Sequence, residues 1–291
     1  MAGRQPAVDL LGEDGQVSWL RRTAGLIAPL LFLAVGCSSD ADRKSAPEPR
    51  PSVSAGSDQP AEPDPRVGSC HELSFSEATD PVDAGAPVPC RQPHTSVTFK
   101  VGQLDPVADG HLLAVDSRTV RTQIEKACPD SPGAYLGGDQ TEQRLSRFDV
   151  VWFSPSLEQA DAGANWFRCD VVALRSKGQL LPLPARMKGV LDTDGALDRF
   201  GTCGTAAPDR PGFARVVCAQ KHSWRAVDVV ELPKAARYLA KDVAATGDAS
   251  CKDVAAQRAD GELSYTWSFE WPTRAEWAAG QRFGYCWVPE G

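Results

Sequence analysis

The chain has 291 residues and a net charge of -7, with no basic run of the length that displaces counterions from nucleic acid, so a nucleic-acid partner is excluded. Its length suits two domains of ordinary size, and its 42% hydrophobic content is that of a globular protein.

The first element is an export signal. Arg21 and Arg22 precede an apolar run from Ala24 to Val35. That run is shorter than the ~20 residues a membrane span needs, but it has the length of a signal-peptide core. It ends in Leu33-Ala-Val-Gly-Cys37, small residues before a cysteine, as in a bacterial lipobox. A signal peptide is therefore expected over 1–36, with Cys37 acylated as the mature N-terminus. The long preface before Arg21 points to translation starting downstream, at the Val17 codon. Residues 37–66 are rich in Ser, Pro, Asp and Glu and nearly free of large apolar side chains. Such a segment buries too little surface to fold and serves as an extended tether.

Eight further cysteines form two sets of four: Cys70, Cys90, Cys128, Cys169, then Cys203, Cys218, Cys251, Cys286. An even number in an exported chain reads as a disulfide framework. The two sets carry the same surroundings. Gly68-Ser-Cys70 matches Gly201-Thr-Cys203. Cys90 and Cys218 are each followed, after three residues, by His94 or His222. Next comes a strand pattern, with Val97, Phe99 and Val101 alternating in one copy and Val227 and Val229 in the other. A helical stretch follows. Val120, Ile124, Ala127 and Cys128 share a face in the first copy. In the second, Pro233 opens a predicted helix with Ala236, Leu239, Ala240 and Val243, and a second helix from Asp248 places Cys251, Val254 and Ala255 together.

The copies end alike. Pro155-Ser156 and Gln159 lead to Gly163, and Pro272-Thr273 and Glu276 lead to Gly280, with five residues between each glycine and the last cysteine. Ser156 and Thr273 fit helix N-caps completed as capping boxes by Gln159 and Glu276. Gly163 and Gly280 fit left-handed helix stops. Identical spacing in both halves predicts an internal repeat.

These motifs resemble the septum formation domain family of high-GC Gram-positive bacteria, most closely in Trp277-Ala-Ala-Gly280-Gln-Arg282 and in the tail Leu181–Gly189. The resemblance spans about residues 67–291 and is assigned as two tandem copies, 67–196 and 197–291. It implies a link to cell division and carries no catalytic residues over. The family's acidic residue three positions after the histidine is replaced here by Val97 and Arg225.

Cysteine pairing is not fixed by the sequence, since four cysteines allow three pairings per copy. First-with-second and third-with-fourth is favoured: Cys70–Cys90, Cys128–Cys169, Cys203–Cys218 and Cys251–Cys286. A Cys-x3-His metal site is disfavoured, because no closely spaced Cys pair completes four ligands. A free thiol nucleophile is disfavoured because Cys37 takes the odd cysteine. No metal or cofactor is expected. His94 and His222 are expected to satisfy hydrogen bonds in turns, and His71 and His111 to lie on the surface. In Ser264–Trp271 the aromatics Tyr265, Trp267, Phe269 and Trp271 alternate along one strand face. That face reads first as core, matching Phe148, Val150 and Trp152, and second as a glycan or small-ligand platform. The linker Leu181–Asp198 is apolar enough to pack on the first copy.

The expected fold class is thus α+β. It comprises two tandem small disulfide-stapled domains, each a mostly antiparallel sheet with one or two helices. The expected function is non-enzymatic, a binding or interaction module at the outer face of the cytoplasmic membrane. Its expected partners are the membrane, through the N-terminal lipid, and a cell-envelope protein or cell-wall glycan.

Overall fold

In the computed structural model, which describes residues 64–82, 85–108, 110–128, 132–259 and 264–290, two antiparallel sheets carry a mixed α+β fold. The expected signal peptide, the lipidated Cys37 and the tether as far as residue 63 lie outside the described residues. The first half runs β1 (Cys70–His71), α1 (Phe75–Ala78), β2 (Ser96–Gln103) and a small hairpin of β3 (Val107–Ala108) and β4 (His111–Leu112). It continues through α2 (Arg118–Ala127), α3 (Gly133–Leu136), α4 (Gln140–Leu145), β5 (Phe148–Phe153), α5 (Leu157–Asp161), β6 (Trp166–Ser176) and β7 (Gln179–Leu180). The linker holds a 3-10 turn and α6 (Ala196–Phe200). The second half runs β8 (Thr202–Gly204), β9 (Arg215–Val217), β10 (Trp224–Glu231), α7 (Lys241–Arg258), β11 (Ser268–Glu270), α8 (Arg274–Ala279) and β12 (Phe283–Pro289).

The first sheet is ordered β1-β2-β6-β5 and the second β9-β8-β10-β12-β11. Val88 bridges Cys70 outside β1, where β9 pairs β8 in the second sheet, so the strand orders correspond. A register shift falls between Thr98 and Lys100 in β2 and between Ala226 and Asp228 in β10. These are matching positions, and a bulge at such a point bends and twists the strand.

Local chemistry explains the short helices. Ser156 and Thr273 accept hydrogen bonds from the backbone of Gln159 and Glu276, whose side chains reach back in capping boxes. Gly163 and Gly280 both sit at φ 101°, the left-handed region where a Cβ is penalised. α1 and α4 carry further capping boxes, Ser74 with Glu77 and Asp139 with Glu142, which the repeat spacing does not mark. The spacing predicts two helices between Pro233 and Arg258, and the structure corrects this to one. Residues 233–240 form turns, and α7 is a single helix of 18 residues through Gly247.

The cysteines pair Cys70–Cys90, Cys128–Cys169, Cys203–Cys218 and Cys251–Cys286. In each half the first bridge ties the opening strand to the turn before the central strand. The second ties the long helix to the last strand, Cys128 of the α2 C-cap to β6 and Cys251 of α7 to β12.

Both faces of the first sheet are covered. Val120 and Ile124 of α2 pack on Val150, Trp152 and Cys169. The linker packs beside them, with Leu183, Met187, Val190, Leu191, Ala196 and Phe200 against Val97, Val171 and Ala173. Leu73 and Ala78 cover Val151, Phe153 and Val172 on the opposite face. In the second sheet Cys251 of α7 joins Val227 and Cys286, and the other face holds Tyr285 and Trp287. Leu145, from the first half, is part of that last cluster. The halves are also joined by a bridge between Ser146 and Gly201 and by the Arg147 amide donating to the Phe200 carbonyl at 2.7 Å.

Candidate functional site

The two Cys-x3-His motifs are turns. His94 Nδ1 lies 2.8 Å from the Gln92 carbonyl, and His222 Nδ1 lies 2.7 Å from the Gln220 carbonyl. Each histidine thus closes the loop that its neighbouring disulfide staples. Beyond that they differ. His94 is buried and its Nε2 has no partner, whereas His222 Nε2 is 3.2 Å from Glu290 Oε2. Cys203, His222 and Glu290 are the one group among the described residues with donor atoms close enough to hold a metal. Cys203 is a half-cystine, so its sulfur is not a thiolate ligand, and two donors do not make a zinc site.

Glu290 is instead held by Arg225, whose Nε is 2.5 Å from Oε2 and whose Nη1 donates to Asp198 at 2.9 Å. Partial burial pushes the Glu290 carboxyl up. The hydrogen bonds and charges of Arg225 and His222 together outweigh it and hold the carboxyl below its ordinary range.

His71 is not on the surface, contrary to expectation; it is buried against Arg168, 2.8 Å from its Nη1. Arg168 also lies 3.3 Å from Asp170 and 4.4 Å over the Phe153 ring, and Ser96 donates to Asp170 at 2.7 Å. Asp170 and Ser96 are 0% exposed. The matching positions in the second half are Tyr285, Trp287 and Trp224. The side chains of His71, Ser96, Arg168 and Asp170 are all buried, and they satisfy one another inside the first half. His71 escaped the sequence reading because its partner is 97 residues away. His111 is exposed, as expected.

The aromatic row divides. Only Ser268–Glu270 is strand, not the whole alternating stretch. Trp267 and Phe269 pack toward α7 and the Cys251–Cys286 bridge. Trp267 Nε1 donates to Asp248 at 3.1 Å, Lys252 lies 5.7 Å over its ring, and Tyr265 is its neighbour at 5.8 Å. The Phe269 ring is pressed against Gly247 and Gly284. Trp267 and Phe269 thus serve mainly as core.

Trp271 belongs to a different group. It stacks on Trp277 of α8, with centroids 5.5 Å apart and planes 11° apart, and meets Tyr238 at 6.4 Å and Phe269 at 6.3 Å. Tyr238 meets Trp277 at 5.9 Å. Arg282 lies 4.1 Å over Trp277 and Arg274 lies 4.7 Å over Tyr238. Tyr238, Trp271 and Trp277 are all half-buried, and the indole N–H of Trp271 is buried without an acceptor. Gly280 produces this geometry. Its left-handed turn folds the chain back so that Arg282 donates to the carbonyls of Trp277, at 2.7 Å, and Gln281, at 2.8 Å.

Beneath α8, Arg215 of β9 bridges Glu276, at 2.9 Å, and Glu270, at 2.9 Å. Glu270 in turn accepts from Trp287 Nε1 at 3.0 Å. Glu276 therefore caps the helix and anchors it to the sheet, which positions Trp277. Of this cluster only Trp271 was singled out as a ligand residue from the sequence. Tyr238 and Arg274 carried no local signal, but the spacing of Trp277, Gly280 and Arg282 marked a turn that returns on itself.

One family profile, described as Septum formation, matches residues 67–286, a range that includes the Trp277–Gly280–Arg282 turn. The chain belongs to the septum formation family. The match is a single domain over both halves, rather than one copy per half. The septum formation domain therefore contains both sheets, all four bridges and the Tyr238–Trp271–Trp277 cluster. Four disulfides mark that domain as extracytoplasmic. No curated protein and no solved structure matches the chain.

Proposed function

We propose that the chain is an exported lipoprotein, anchored through Cys37 at the outer face of the cytoplasmic membrane. It acts there as a non-enzymatic interaction module in septum formation. Its family and its disulfides support the setting. The single observation that carries the interaction reading is the half-buried Tyr238–Trp271–Trp277 cluster flanked by Arg274 and Arg282. Aromatic and arginine side chains concentrated at one surface point are what contact surfaces are enriched in. The eight cysteines of the folded part are all bridged, which leaves no free thiol among them to act as a nucleophile, and the His71–Arg168–Asp170 group is buried.

The shared strand order, matched bulges and matched bridges further support an origin by internal duplication, with the two copies fused into one family domain. The second copy then carries the contact surface and the first supports it.

The test is complementation. Cells lacking the chain should misplace or delay septa, wild-type chain should restore them, and a Trp271→Ala/Trp277→Ala variant present at wild-type level should not. Normal septation in its absence, or full rescue by the double variant, defeats the reading. Intact mass of the extracted protein tests the anchor: an unacylated Cys37 removes it.

A further inference from the structure

We propose that this contact surface docks on an anionic lipid bilayer, through the β10–α7 loop and α8. The inference rests on the interaction reading above and names the partner for the same surface.

The loop and the start of α7 read Leu232-Pro-Lys-Ala-Ala-Arg-Tyr-Leu-Ala-Lys241, with Lys234, Arg237 and Lys241 exposed. Asp242 is the one acid between Leu232 and Gly247; of the acids that flank this stretch, Glu231 is paired with Arg144 and Asp248 accepts from Trp267. Exposed Arg274 joins them over Tyr238, and Arg282 over Trp277. In a chain of net charge -7 this is a local reversal of sign. Between strand and helix, Leu232 to Ala240 holds Lys234 and Arg237 and no acid, whereas the corresponding connection of the first half, Leu104 to Ser117, holds three aspartates and neither Lys nor Arg.

Between the cations lie Tyr238, Trp271 and Trp277, the residue types that settle at the headgroup level of a membrane. At the tip is Leu239. It is the one non-glycine residue at positive φ among the described residues, at 54°, and it is 53% exposed. Left-handed backbone is costly for leucine, and strain of this kind is kept at functional positions. Here it holds an apolar side chain in water beside cations, an arrangement that a lipid interface rewards on both counts.

A glycan fits less well. Trp277 already stacks with Trp271 and lies under Arg282, so its ring is engaged within the cluster rather than open to a sugar. Docking need not be strong. Each Lys or Arg near an anionic surface adds about fivefold to partitioning. A chain tethered to the same membrane meets it at roughly millimolar effective concentration.

The test uses the full chain anchored in vesicles of phosphatidylglycerol and phosphatidylcholine, or of phosphatidylcholine alone, and follows amide hydrogen exchange over 233–241. Exchange should slow about tenfold or more in the anionic vesicles only, and high salt should reverse this. Lys234→Glu/Arg237→Glu/Lys241→Glu and Leu239→Asp should each abolish the protection. These are exposed positions, and exchange over β6 and β12 reports that the fold is kept. Equal exchange in both vesicle types, or protection that survives the triple variant, overturns the proposal. Protection that appears only on adding soluble peptidoglycan fragments overturns the lipid assignment and leaves the interaction reading standing. Full rescue of septation by the Trp271→Ala/Trp277→Ala variant defeats that reading by itself.

Discussion

Arg168 and Asp170 show what one pair of charges costs and contributes. Their side chains are 4% and 0% exposed. Two ions taken out of water repay the loss only while they face each other and their other partners, here His71, Ser96 and the Phe153 ring. Arg168→Ala leaves the Asp170 carboxylate buried and uncompensated, and should cost about 3–5 kcal/mol in urea unfolding. Arg168→Met/Asp170→Leu removes both charges and should cost much less. The second half already fills these positions with Tyr285 and Trp287 around an apolar core. Equal losses in the single and double variants would contradict this account. Glu290 makes a milder, pH-dependent contribution. Its folded-state pKa is lowered by Arg225 and His222 against the raising effect of burial. The unfolded chain therefore binds its proton first as pH falls. The stabilisation is complete above the ordinary carboxylate range and disappears as pH drops through the folded value. Its side chain is 43% exposed, so the contribution is that of a surface pair, about 0.2–1 kcal/mol. Glu290→Gln should lose that amount at pH 7 and show a shallower fall in stability between neutral and acid pH. Parallel urea midpoints for variant and wild type across that range would refute it.

At the scale of elements, α7 tests whether propensity or packing decides. Gly→Ala inside a helix normally stabilises by about 1 kcal/mol. At Gly247 an added Cβ would stand 2.4 Å from the Phe269 ring. Overpacking costs about 1–3 kcal/mol, so Gly247→Ala should destabilise despite the better helix former. Gly247→Ala combined with Phe269→Leu should recover part of the loss, and a stabilised single variant would mean the ring yields freely. The start of the same helix is where the sequence misleads. Ala236, Leu239, Ala240 and Val243 have helical spacing, yet Leu239 adopts positive φ and the helix opens at Ala240, an N-cap with no side-chain hydrogen bond to announce it. Capping boxes, left-handed glycines and strand alternation were legible because they are local, complete within a few residues. The bridges were legible because the two sets of four cysteines recur in the same order with the same local motifs around them. The Tyr238–Trp277 contact and the His71–Arg168 contact were not, since they join residues 39 and 97 positions apart through the tertiary fold.

For the whole molecule, the decisive residues are those each half lends the other. Leu145 ends α4 in the first half and is buried with Ala226, Tyr285 and Trp287 of the second. Tyr285 donates to the Arg144 carbonyl at 3.2 Å, and Arg144 pairs with Glu231. Phe200 lies past the boundary drawn from the sequence, yet packs against the first sheet and contacts Phe148 at 4.8 Å. Neither sheet completes its core from its own half, which is the physical counterpart of a family domain that spans residues 67–286. Small sheets with modest cores gain most from such sharing, because the fraction of surface buried on folding rises with chain length. The halves should therefore unfold in one transition. Leu145→Ala deletes apolar volume from the second half's core and should cost about 2–5 kcal/mol. Slow amide exchange of β6, in the first sheet, and of β12, in the second, should report the same loss. If only β12 loses protection, each half is its own folding unit and the shared residues are contacts between finished domains. If both fall together, the duplicated sheets have become one cooperative structure. The surface around Trp277 would then be held in place by packing that begins in the other half.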